Sequence, residues 1–271
     1  MPGRTAPDSS GEGGSASVGG LPAGRAVLRN EILLVLGVSL GYSAIYAMIE
    51  IVGRLTARQA LDQQSATLNG SQAPGRPWLD LALQLAQILF AVVPALLAVH
   101  LLNRDRGDAQ RILGISPRRP GRDLGAGAGL AALIGIPGLG LYLAALALGI
   151  NAKVVPEALP KVWWAIPVLL LSAAQNGLLE ELIVVGYLVT RLRQLGWALP
   201  AVVLTSALLR GSYHLYQGFG GFLGNAVMGV IFALFFIRFR RVLPLAIAHF
   251  LIDSVAFIGY ATLHQHLSFL H

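Results

Sequence analysis

Cysteine is absent from the 271 residues, which excludes disulfides, thiolate metal ligands and a cysteine nucleophile. Charge is scarce too: Asp, Glu, Lys and Arg make up 12% of the chain, against about 25% in soluble globular domains. Lysine is nearly missing. Lys153 and Lys161 are the only two, so the net charge of +7 comes from arginine, a bias that points to a GC-rich, bacterial coding sequence. The basic residues sit in short stretches between apolar runs, where loop orientation in a membrane explains them and nucleic-acid binding is not needed. What fills the chain instead is apolar: 55% hydrophobic, with mean hydropathy +0.66. The composition is that of a polytopic membrane protein, with the lipid bilayer as its first partner.

Residues 1–24 are rich in Gly, Ser, Ala and Pro without periodicity and read as a disordered tail. No apolar h-region with a cleavage site marks a signal peptide. Apolar runs follow at about 31–53, 78–102, 124–149, 163–189, 198–216, 221–239 and 243–263, each near the ~20 residues that cross hydrocarbon. The expected fold is therefore all-α, a multi-pass bundle of about seven transmembrane helices. It divides into N-terminal spans with a basic loop (25–160), a polar-bearing core (161–263) and a short tail (264–271). The fifth run is short, and Gly211-Ser-Tyr-His214 within it reads as irregular backbone.

Orientation follows from arginine and lysine. With the N-terminus cytoplasmic, fourteen basic residues fall inside: Arg4, Arg25, Arg29, Arg104, Arg106, Arg111, Arg118, Arg119, Arg122, Arg191, Arg193, Arg238, Arg240 and Arg241. Only Arg54, Arg58, Arg76, Lys153 and Lys161 fall outside. The expectation is a plasma (inner) membrane protein with its N-terminus in the cytoplasm and its C-terminus outside. Arg210 belongs to neither side, because it lies within the fifth run.

The adjacent carboxylates Glu180 and Glu181 sit mid-run, roughly 15 Å from the nearer end at 1.5 Å per residue. One ionisable group at that depth costs about 2.5–3.5 kcal/mol, and a like-charged neighbour adds to the cost. Something must meet them. The other intramembrane ionisable groups are Arg210, His214, His249 and Asp253. Arg210 with His214, and His249 with Asp253, are each four apart and share a helix face; Asn176 stands one turn before Glu180. Three helices thus carry polar faces, and the least costly arrangement turns them together. Such a cavity supports hydrolysis. A desolvated Glu acts as general base to water, histidines orient the water, bind a metal or stabilise an oxyanion, and Asp253 fixes a tautomer or completes a metal shell.

The order Glu-Glu, then His, then His-x-x-x-Asp resembles the CAAX-protease and bacteriocin-processing family of intramembrane endopeptidases, over roughly residues 165–260. Supporting texture lies in Tyr213-His-Leu-Tyr-Gln-Gly218, in Gly220, Gly221 and Gly224, and in Leu243-Pro-Leu-Ala-Ile-Ala-His249. By position, the resemblance implies that Glu180, Glu181, His214, His249 and Asp253 form the catalytic set. It further implies cleavage of a peptide or membrane-protein substrate in or beside the bilayer. Two positions depart from the family's pattern: Val185 stands where its Arg belongs, and Arg210 where its Phe belongs. Read together, they suggest that the cation for Glu181 enters from the neighbouring span. Glu180, His214, His249 and Asp253 would make an N2O2 set for zinc, although no His-Glu-x-x-His is present. His264, His266 and His271 read as a solvated tail, and Trp163, Trp164 and Trp197 as interfacial anchors.

Two other functions compete. A proton-coupled transporter would use buried Glu, His and Asp, but the polar groups crowd into one half and no inverted repeat is visible. A non-catalytic scaffold or bacteriocin-immunity protein would account for the departures at Val185 and Arg210. Oligomeric state and substrate leave no mark on the sequence.

Overall fold

The computed structural model describes residues 24–116 and 119–263, and it is mostly helical. The expected tails, including His264, His266 and His271, lie outside the described residues apart from Gly24. The first apolar run is broken: α1 (Arg25–Gly37) and α2 (Leu40–Leu55) meet at 54°. Ser39 lies at the break, its hydroxyl donating 2.5 Å back to the Val35 carbonyl. A long α3 (Pro77–Arg106), a single turn α4 (Ala109–Leu113) and α5 (Pro120–Ala147) follow. α3 and α5 both open on proline, whose missing N–H falls where no helical bond is due, and α3 closes on Gly107 at φ 67°.

The fourth run is continuous from Ala165 to Gln194 but changes character midway. α6 (Ala165–Glu180) passes into a π-helical segment, Glu181–Tyr187, and then into α7 (Leu188–Gln194). This is the central helix: 61% of its apolar window is buried, against 33% or less for the other long spans. Around it stand α3, α8 (Leu199–Tyr213), α9 (Phe219–Phe239) and α10 (Leu243–Leu263). α5 packs on the outer face of α9 and α10.

Among the described residues, five helices are long and apolar enough to cross a membrane, and six if α1 and α2 make one broken span. The seventh expected span is α8. At 15 residues it is about 22 Å long, short of the ~30 Å hydrocarbon. Contacts between loops show how the chain alternates. On one side, Ser65–Gly70 (β1) pairs in parallel with Lys153–Ala158 (β2), and Asn151 bridges to Gly218. On the other, Val242 donates to the Leu113 carbonyl, and Arg241 grips Asp123 and the Ser116 carbonyl. Short as it is, α8 therefore carries the chain from one side to the other.

The two-stranded sheet is an addition to the expected helical bundle. Neither strand has the length or alternation to be seen alone. Both are loop segments that satisfy each other's backbone, and Asn69 of β1 adds a side-chain bond to the Pro156 carbonyl of β2 and ties the sheet to Ser172 of α6. Gly211-Ser-Tyr213, expected to be irregular, is helical, and the chain leaves the helix at His214 through a 3-10 turn, Leu215–Gln217.

Candidate active site

The site begins where the central helix changes its hydrogen bonding. In an α-helix, neighbouring side chains diverge by about 100°, so adjacent glutamates point to different surroundings. Here Glu181 is the first residue of the π segment, and both carboxylates reach one guanidinium. π turns leave some backbone groups short of partners, and neighbouring hydroxyls supply them. Ser206 of α8 donates to the Val184 carbonyl at 3.0 Å, and Thr190 donates to the Gly186 carbonyl at 2.6 Å.

Arg210 is fully buried and sits between the two glutamates. Its Nη2 donates to Glu181 Oε1 at 2.6 Å and its Nη1 to Glu180 Oε2 at 3.3 Å. The Phe232 ring of α9 lies 5.4 Å from the guanidinium carbon and closes the remaining face. Two close helix approaches make this geometry reachable. On α9, a Cβ added at Gly229 would stand 2.8 Å from the Ala207 Cα and 3.4 Å from the Arg210 Cβ. On α6, one added at Gly177 would stand 2.8 Å from the Ala246 carbonyl oxygen and 3.3 Å from the Phe250 nitrogen, in the turns that carry His249. Small residues at these crossings let the backbones close until side chains of moderate length meet.

From α10, His249 Nδ1 lies 2.8 Å from Glu181 Oε1 and 3.9 Å from Glu180 Oε2. Its Nε2 faces Asp253 Oδ1 at 3.7 Å, and Asn176 donates 2.9 Å to the other Asp253 oxygen. Tyr213 donates to Glu180 Oε2 at 2.7 Å. His214 is near enough to Glu180 to feel its charge but is hydrogen-bonded to neither carboxylate. Its Nδ1 lies 3.1 Å from the Arg210 carbonyl, an acceptor, so Nδ1 carries the proton and Nε2 keeps its lone pair in the neutral ring.

All six sequence-derived candidates thus come from three neighbouring helices, and Glu180, Glu181, Arg210, His249 and Asp253 form one chain of polar contacts. Arg210 reaches Glu181, the contact anticipated from its displaced position. Val185, where a family arginine was looked for, is fully buried in the apolar core with Val184 and Leu188. Three details differ from expectation. His249 lies nearer Glu181 than Glu180. Arg210 serves both glutamates. The metal set also changes: Glu180, Glu181 and His249 place ligand atoms within 4.8 Å of one another and could hold an ion, whereas His214 and Asp253 are not part of that group. The fit is poor, because Glu181 Oε1 already serves Arg210 and His249, Glu180 Oε2 serves Tyr213 and Arg210, and a dication would sit against a guanidinium. Phe232, on the Arg210 guanidinium, and Gly177, against the turns that carry His249, have no signal in the sequence. Tyr213 reads from the sequence as an interhelical hydrogen-bonding group beside His214, and its partner is Glu180.

Residues 162–255 match the family described as Rce1-like: Type II CAAX prenyl endopeptidase Rce1-like. The matched segment contains every residue of this site. No curated protein and no solved structure matches the chain.

Proposed function

We propose that this multi-pass membrane protein is an intramembrane endopeptidase, hydrolysing a peptide bond of a peptide or membrane-protein substrate through glutamate- and histidine-activated water. The observation that carries the reading is the convergence of Glu180, Glu181, Arg210 and His249 in the buried middle of the segment similar to prenyl endopeptidases, with half-buried His214 one turn after Arg210. Bulk ion pairing would place such groups at the bundle's ends, whereas burying four of them near one point concentrates acid–base chemistry out of water.

Glu180 is the base. One oxygen, Oε2, is held by Tyr213 and Arg210, which leaves Oε1 to take a proton from water. His214 Nε2 accepts the water's second hydrogen and so aims its lone pair at the scissile carbonyl carbon. Attack forms the C–O bond and a tetrahedral oxyanion. When the intermediate collapses, the C–N bond breaks, and the proton held by Glu180 passes to the departing amine. His249 belongs to the support: with Nδ1 on Glu181 and Nε2 towards Asp253, it fixes the carboxylate that anchors Arg210. The N-terminus is placed at the cytoplasmic face of the plasma membrane, on the arginine asymmetry of the loops.

The test is Glu180→Gln and His214→Ala in cells, followed by mass spectrometry of the membrane proteome. Peptides cleaved by the wild type should stay intact in both variants, with protein levels unchanged. If processing is the same in both variants while a phenotype of the wild type persists, the protein acts as a scaffold or immunity protein.

A further inference from the structure

At the end of the bundle where α1 begins and α7 ends, a cavity of about 340 Å³ is lined by Arg25, Ala26, Arg29, Ile32, Leu192, Leu195 and Trp197. Its size is at the lower end of small-ligand sites. Its chemistry is two-sided. Ile32 and Leu192 are buried and make an apolar floor, while Arg25, Arg29 and Trp197 are exposed at the rim.

Among the described residues the charge here is uncompensated, and the reason lies next door. The nearby acids are Glu31 and Asp105, and both are already engaged. Arg191, fully buried, pairs with Glu31 at 2.9 Å and with Asp105 at 2.6 Å, and Arg104 contacts both as well. Among the described residues no carboxylate pairs with Arg25 or Arg29. The first turn of α1 adds to the field: it has no acidic residue and no side-chain cap, so its free N–H groups also face this end. The rim aromatic is held in place, because Arg193 donates to the Trp197 carbonyl at 2.8 Å and the Trp197 N–H to the Leu192 carbonyl. An exposed aromatic residue at the end of the bundle, two guanidiniums with no carboxylate partner among the described residues and an apolar floor together suit one kind of occupant.

We propose that this cavity binds the phosphate headgroup of an anionic phospholipid, with Arg25 and Arg29 on the phosphate, and the acyl chains leaving along Ile32 and Leu195. The bound lipid would clamp α1 to α7, the helix that continues from the π segment.

The experiment uses the full chain in neutral detergent, equilibrated with mixed micelles of phosphatidylglycerol and phosphatidylcholine, with retained lipid read by native mass spectrometry. Wild type should retain phosphatidylglycerol in preference to phosphatidylcholine. At about fivefold per arginine, R25A/R29A should weaken retention about 25-fold, and R25K/R29K should keep most of it. R238A/R240A removes the same charge from exposed arginines that do not line the cavity and should leave retention unchanged. Trp197→Ala should weaken retention with no change in charge. Equal retention of the two lipids, equal loss in both double alanine variants, or displacement of the lipid by millimolar inorganic phosphate would each overturn the proposal.

Discussion

Replacing Arg210 by methionine should cost more stability than any other single substitution in the site. The side chain is fully buried and holds two adjacent carboxylates at 2.6 and 3.3 Å. At about 4 Å between charge centres and an effective dielectric near 20, each attraction is worth about 4 kcal/mol. Desolvation of the guanidinium offsets much of that while the pair is intact. Removing one partner leaves the other charges buried and uncompensated, which costs about 3–5 kcal/mol. With ~2–4 °C lost per kcal/mol in a domain of this size, the melting temperature should fall by roughly 6–20 °C. Glu181→Gln alone should cost less, because Arg210 keeps Glu180. The decisive measurement is the double variant. With Glu181 neutral, loss of Arg210 strands one carboxylate instead of two, so R210M/E181Q should be more stable than R210M by about 1 kcal/mol or more. Thermal unfolding in micelles, followed through the four tryptophans, reads all three variants. If the costs of the single changes simply add, to within about 0.5 kcal/mol, the three groups are not coupled and the account of the buried pair fails.

Three further outcomes are expected. Tyr213→Phe removes a hydrogen bond to a carboxylate, worth about 1.5–3 kcal/mol, and should lower the melting temperature by roughly 3–12 °C and, in the protein that stays folded, the rate of peptide processing by roughly 10- to 100-fold; an unaltered rate would show that Tyr213 does not position Glu180. Gly177→Ala puts a methyl 2.8 Å from the Ala246 carbonyl oxygen, so over-packing of about 1–3 kcal/mol should outweigh the up to ~1 kcal/mol gained in helix propensity. A rise in melting temperature would contradict that close approach. Prolonged dialysis against a strong chelator should leave processing unchanged, because Arg210 already supplies the positive charge beside both glutamates; loss of activity restored by zinc would assign Glu180, Glu181 and His249 to a metal instead.

Much of this site is legible in the sequence because burying charge is costly. Glu180, Glu181, Arg210, His214, His249 and Asp253 stand out in apolar runs, and four-residue spacing by itself gives two of the helices a polar face. Spacing rules describe contacts within one ideal helix, and the misses begin where that description ends. The π segment at Glu181 has no distinctive composition, since Leu-Ile-Val-Val-Gly would serve equally in an α-helix. Its consequence, two adjacent glutamates on one guanidinium, is a matter of hydrogen-bond register. The partner of Tyr213, a polar side chain already legible beside His214, was hidden for a related reason. Its hydroxyl reaches Glu180 because α8 ends there, and a helix end is set by packing as much as by sequence. The β1–β2 pair was out of reach altogether, being two loops 87 residues apart in the Asn69–Pro156 contact that anchors them.

Arg210 shows how far tertiary geometry governs the site. An arginine at Val185 would share its helix with Glu181, but that position is fully buried among Val184, Leu188 and the other residues of the apolar core. The cation on the glutamates comes from α8, through a crossing at which Gly229 brings α9 against Ala207 and Arg210. This ties the charge balance of the central helix to the packing of a helix only 15 residues long. Any movement of α8 would shift three things together: Arg210 on the carboxylates, Tyr213 on Glu180, and His214, whose tautomer is set by the Arg210 carbonyl. An arginine on the glutamates' own helix would balance the charge but carry neither Tyr213 nor His214 with it. Arriving from α8, the cation makes the electrostatics of the glutamates and the placing of His214 one mechanical unit.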